Sequence, residues 1–204
     1  MDELKVDVKF GEWIQKGFEL FKANAIVLIV ATLLAVIIGG ATGGILSGPM
    51  FAGVCLIALA LVDKKEPKPD IGAVFKGFDY FLNSFLFFLV WGILAFVVVG
   101  LLNLIFCVGQ LLGVVVIIVL KTLLMFALFL IVDRKMEFWP ASMESINRVK
   151  GNFFPFLGFA VIAGLIGMIG FVVCGIGVIF TLPITICCLA VAYRDVFGPA
   201  PSAA

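Results

Sequence analysis

The charges of this chain are segregated, and that constrains its fold more than any other feature. There are 14 basic and 13 acidic side chains, and all but Lys121 lie in residues 2–22, 63–79, 133–150 or 194–195. The stretches between are apolar and long. The run 110–132, QLLGVVVIIVLKTLLMFALFLIV, is sufficient for a helix across a bilayer, since about 20 apolar residues cover a ~30 Å hydrocarbon core. Composition agrees: 64% of residues are hydrophobic and 13% charged, against about 25% charged in a soluble domain. A water-soluble fold could not cover so much apolar surface, so lipid is expected to solvate much of it.

Six apolar segments are predicted to be transmembrane helices, at 25–38, 45–62, 85–102, 110–132, 154–174 and 178–193. They pair through uncharged turns at 39–44, 103–109 and 175–177. Before each pair stands a segment with helical periodicity. In residues 8–24, Phe10, Trp13, Ile14, Gly17, Phe18 and Phe21 fall on one face, and Lys9, Glu12, Lys16, Glu19 and Lys22 on the other. Such a helix suits the membrane interface. Asp70 is an N-cap candidate for a second surface helix whose apolar face is Ile71, Val74, Phe75, Phe78 and Leu82. A third runs from 139 to 150, with Pro140 in its first turn.

The chain therefore reads as an all-α integral membrane protein. Three parallel repeats, about 8–66, 70–135 and 137–197, each carry a surface helix and a transmembrane hairpin, in one membrane domain over 1–198. Lys16-Gly17-Phe18-Glu19-Leu20-Phe21 recurs as Lys76-Gly77-Phe78-Asp79-Tyr80-Phe81, and Lys22-Ala23-Asn24 as Lys150-Gly151-Asn152. Repeats that each cross twice share one orientation, so the axis relating them lies along the membrane normal. Basic residues in short loops favour the cytoplasm, which predicts a multi-pass protein of the inner (plasma) membrane with both termini cytoplasmic. Residues 1–24 are charged throughout, so no cleavable signal peptide is expected. The Gly/Pro/Ala/Ser tail at 199–204 is expected to be disordered.

The runs WIQKGFELFKAN at 13–24, GxxxSGPMFAG from Gly43, DRKMEFWPASMES from Asp133 with NRVKGNF after it, and AVAYRDVFG at 190–198 resemble a group of bacterial multi-pass membrane proteins. They look like the membrane domain attached to glycerophosphoryl diester phosphodiesterases, and like its stand-alone relatives. That resemblance covers most of the chain and implies a helical integral membrane fold. It carries over no catalytic residue, because the phosphodiesterase chemistry resides in a separate soluble domain.

The residues argue against an enzyme. Histidine is absent, which removes the commonest general base. No Asp or Glu lies inside a predicted span, so there is no carboxylate proton relay. No GxSxG, Walker A or CxxC motif occurs, and no cofactor or metal is expected. Asp63, Glu66, Asp70 and Asp79 read as a solvated loop balancing nearby lysines. A net charge of +1 without a basic patch gives no case for nucleic acid. Cys55, Cys187 and Cys188 read as small apolar residues; Cys107 and Cys174, near uncharged turns, could pair in an oxidising compartment.

Lys121 is the exception to the segregation. Translocon scales place a lysine at the centre of a span about 2.5–3.5 kcal/mol uphill, which makes it the centre of a candidate polar site. Lys121 and Pro183 each lie twelve residues before an aspartate, Asp133 and Asp195, and Pro49 lies fourteen before Asp63. Prolines free helix carbonyls, here those of Ile45 and Ile179. The candidate intramembrane site is Lys121, Thr122, Ser47, Pro49, Thr181, Pro183 and Thr185. It reads either as glue, with the ammonium bonding those carbonyls, or as a site for an anion or lipid headgroup. Two functions follow. One is a non-enzymatic, membrane-organising scaffold acting on membrane lipids, with homo-oligomers or membrane-protein partners through small residues such as Gly158, Gly164 and Gly167. The other is a small transporter or channel for an anionic or amphiphilic solute near Lys121.

Overall fold

A computed structural model describes residues 8–105, 108–172 and 177–199. Their regular structure is helical, with no strand among them. The helices are α1 (Phe10–Ala23), α2 (Ala25–Ala41), α3 (Ser47–Val62), a 3₁₀ segment (Ile71–Tyr80), α4 (Phe81–Leu102), α5 (Val108–Leu124), α6 (Ala127–Arg134), α7 (Phe138–Lys150), α8 (Phe153–Val172) and α9 (Val178–Phe197). Three rods are long and apolar enough to cross a membrane: Ile71–Leu102, Val108–Arg134 and Val178–Phe197. The count rises to five if α1 with α2, bent by 93°, and α7 with α8, bent by 109°, each make one broken span. Ser47–Val62 is apolar but shorter.

Three hairpins, α2–α3, α4–α5 and α8–α9, pack in one cyclic order. The second helix of each meets the first helix of the next: α3 meets α4, α5 meets α8 and α9 meets α2. The segment that precedes each hairpin packs on the second helix of the hairpin before it. The 3₁₀ segment lies on α3, α7 lies on α5 and α6, and α1 lies on α9, which closes the ring. The core sits where α3, α6 and α9 converge. Leu28, Met50, Ile57, Leu130, Ile131 and Tyr193 are fully buried there, with Trp13 from α1 and Phe156 and Phe159 from α8. Trp13 stands edge-on to Phe159 at 5.2 Å. Helix α4 is peripheral; Ser84 is its one buried residue.

Local sequence explains the seats. Gly17 brings α1 so close to α9 that a Cβ would lie 2.6 Å from the Cys188 main chain. Gly77 of the 3₁₀ segment sits against Gly53 and the Pro49 carbonyl of α3, and a Cβ there would overlap both. A ten-residue 3₁₀ run is unusual; the expected α-helical surface segment is replaced by this narrower winding where the chain is pressed onto α3. Asp70 caps it, with Oδ1 accepting from the Ala73 N–H at 3.1 Å.

One expectation needs correction. The run 110–132 is not one unbroken helix. It breaks between Leu124 and Ala127, although it contains no proline. The cause is Ser145 of α7, whose hydroxyl donates to the Leu123 carbonyl at 2.7 Å and accepts from the Phe126 N–H at 3.3 Å. Pro49 stands in the first turn of α3, where no intrahelical bond is lost, and the helix starts at Ser47, two residues after the segment expected from Ile45. Cys107, Cys174 and the tail at 200–204 lie outside the described residues.

Candidate functional site

The charged end of the bundle carries the most organised polar cluster. Asp63 is the C-cap of α3, Asp133 lies in the last turn of α6, and Arg194 in the last turn of α9. Arg194 donates Nε to Asp63 Oδ1 at 2.7 Å and Nη2 to Asp63 Oδ2 at 2.8 Å. Its other side donates Nη1 to Asp133 Oδ2 and Nη2 to Asp133 Oδ1, both at 2.7 Å. The remaining Nη1 hydrogen reaches the Gly198 carbonyl at 3.2 Å. All five guanidinium donors are thus used, and all four carboxylate oxygens are engaged. Tyr193 adds its hydroxyl to Asp133 at 2.8 Å, and Lys65 lies 3.8 Å from Asp63.

Three helix C-termini converge on this point, each carrying negative partial charge. Two carboxylates there would repel one another and the dipoles without a cation between them. Arg194 supplies it from the third helix. The Trp13 indole N–H donates to Asp195 at 2.9 Å, so α1 is tied to the same end of α9. Arg134 bonds the Phe197 carbonyl at 2.7 Å. With every carboxylate oxygen occupied, the cluster is built to hold three helices in register.

This cluster was missed in the sequence, where Asp63 reads as a loop acid. The available signal was the recurrence of an aspartate at the charged end of each second hairpin segment, at 63, 133 and 195.

The residues expected around Lys121 are only partly brought together. Lys121 is exposed on the outer side of α5 and has no hydrogen bond or ion pair among the described residues. It borders two grooves against α8. One, of about 300 Å³, continues past Met125, Ala163, Gly167 and Leu182 to Thr185. The other, of about 360 Å³, runs past Ile118, Val114 and Leu165. Gly164 lines both. Thr185 donates to the Thr181 and Ala163 carbonyls at 3.1 and 3.3 Å, and Thr181 to the Gly167 carbonyl at 3.2 Å. These threonines therefore tie α9 to α8.

Thr122 is buried and bonds the Ile118 carbonyl of its own helix at 2.8 Å. Pro183 is buried inside α9. Ser47 lines a different groove, with Gly43, Phe51 and Phe85, at the uncharged turn of the first hairpin. The bond from the Lys121 ammonium to the Ile45 and Ile179 carbonyls is not formed. The lysine points away from the bundle axis, toward the surface between α5 and α8.

No protein-family model matches the chain, and no curated protein or solved structure matches it.

Proposed function

We propose that the chain is a non-enzymatic, multi-pass membrane protein that organises the leaflet at its charged end. In this reading six membrane segments form three parallel repeats, of the kind that resembles the membrane domain of glycerophosphoryl diester phosphodiesterases. Both termini are cytoplasmic, and the segments α1, Ile71–Tyr80 and α7 lie in the cytoplasmic interface of the inner membrane.

One observation carries it. Each of the three segments keeps large apolar side chains outward although another face is already packed. Phe10 and Phe18 of α1, Phe75 and Phe78 of the 3₁₀ segment, and Trp139 of α7 are 37–52% exposed. Lysines accompany them, among them Lys9, Lys16, Lys22, Lys76 and Lys150. Aromatic rings beside lysines at the ends of apolar helices match the demands of a headgroup layer. A collar of this form, on one side alone, adds area to one leaflet and favours curvature. Lipids are its partners, and oligomers would extend it.

Reconstituted at equal density, the protein should enrich on small, highly curved vesicles by about threefold or more over large ones. The combined variant Phe10→Ser, Phe75→Ser, Trp139→Ser should fold and lose that preference. Equal enrichment of wild type and variant would sink the proposal.

A further inference from the structure

Lys121 is a basic side chain without an acidic partner among the described residues, and its position narrows what can provide one. Counting 1.5 Å per helical residue, it lies about 18 Å from Asp133 and about 20 Å from Val108. On the reading that these helices cross the bilayer, it sits near the middle of a ~30 Å hydrocarbon core. The lysine is exposed there. No Asp or Glu occurs in residues 23–62, 80–132 or 151–193. The chain itself therefore cannot neutralise the charge at that depth. Neither can a second copy, which would bring another lysine and no acid.

Phospholipid phosphates lie at the two faces of the core, about 15 Å away. A lysine side chain is too short to reach them without deforming the bilayer. An anion delivered to this depth needs an apolar carrier and a form that crosses hydrocarbon uncharged, because moving an ionised carboxylate there alone is prohibitive. A long-chain fatty acid meets both conditions. Its neutral acid enters the core and passes its proton to the uncharged Lys121 amine, so that carboxylate and ammonium form together as one matched pair.

The surroundings fit such a tail. Both grooves open from Lys121 and are lined almost wholly by apolar groups, among them Ile118, Val114, Leu165, Met125 and Leu182. Gly164 keeps them open where they meet; a Cβ at that position would touch nothing within 4 Å.

We infer that Lys121 and the α5–α8 groove bind a long-chain fatty acid, with the carboxylate on the Lys121 ammonium and the tail along the groove. This inference rests on the membrane reading above and is independent of the collar.

The test uses the full chain, delipidated and reconstituted in zwitterionic nanodiscs, with cis-parinaric acid and its methyl ester as fluorescent probes. Wild type should bind the acid at least tenfold more tightly than the ester. Lys121→Met should abolish that discrimination. Gly164→Leu, which fills open space and leaves the packing intact, should weaken binding of both probes by a similar factor. Equal binding of acid and ester to wild type, unchanged discrimination in Lys121→Met, or displacement of the acid by phosphatidylglycerol as readily as by palmitate would each overturn the inference. Labelling of Lys121 by a water-soluble amine reagent reports the membrane reading separately: protection supports it, and rapid labelling in nanodiscs would show that the helix does not cross.

Discussion

The seats of the 3₁₀ segment and of α7 solve one packing problem in opposite ways. Gly77 rests on an intact α3, and the close approach is possible because Gly53 faces it. Helix α3 runs without a break from Ser47 to Val62. Counting back five residues from the matched Lys22 and Lys150 places Ser145 where α1 has Gly17, and thus where the 3₁₀ segment has Gly77. Ser145 carries a hydroxyl into the contact, and a buried hydroxyl needs partners. It takes them from the main chain of the helix below, which is broken between Leu124 and Ala127. Where both partners lack a side chain, the seat is shape alone. Where one carries a polar side chain, the seat becomes a joint.

The difference can be pressed hardest at Gly77. Gly77→Ala places a carbon inside the Pro49 carbonyl and Gly53 main chain, which no rotamer change relieves. It should lower stability by about 3 kcal/mol or more, read as a fall in thermal midpoint in detergent. A loss below 1 kcal/mol would mean that the two backbones are not in contact.

Next in size is the clamp that fixes the far ends of the seats. Arg194→Met leaves Asp63 and Asp133 facing one another at three helix C-termini. Breaking a fully buried pair costs roughly 3–5 kcal/mol. Here the Asp63 side chain keeps 20% exposure, so about 2–3 kcal/mol is expected, relieved by water and salt. Adding Asp63→Asn and Asp133→Asn should restore most of it. If the triple variant is no more stable than Arg194→Met, carboxylate repulsion is not the source of the loss.

The smallest effect falls on the joint. Ser145→Ala strands the Phe126 N–H and the Leu123 carbonyl, a loss of about 1–2 kcal/mol. Amide exchange at Phe126 should accelerate while Phe129 to Val132 stay protected. Unchanged exchange at Phe126 would show that the break is set elsewhere.

Much of the helical frame was legible because charge and periodicity are local properties. Of the apolar face expected of α1, Trp13, Gly17 and Phe21 are buried and Ile14 half-buried, while Phe10 and Phe18 at its edge stay exposed, and Asp70 caps the segment it precedes. What was illegible depends on partners far away in the chain. Nothing in LKTLLMFALFL announces a break, because the residue responsible is Ser145. Nothing near Arg194 marks it as a clamp, since its carboxylates lie 131 and 61 residues upstream. Of the two readings of Lys121, the bond to the freed carbonyls is not formed, for a related reason. Aligning it with Pro49 and Pro183 gave its height along the bundle, but not its rotation about the helix axis, and its rotation turns it outward.

The contact between α1 and α9 has a consequence for synthesis. Each later segment finds its seat already made: the 3₁₀ segment follows α3, and α7 follows α6. For α1 the order is reversed. It leaves the ribosome before the surface that receives it, since Phe156 and Phe159 of α8 and Cys188 and Asp195 of α9 follow Trp13 and Gly17 by more than 140 residues. Until then its indole and phenyl rings must be held by something other than this protein. The ring closes when α9 catches a helix made before it, so a chain stalled before α9 would hold two finished seats and an unseated α1.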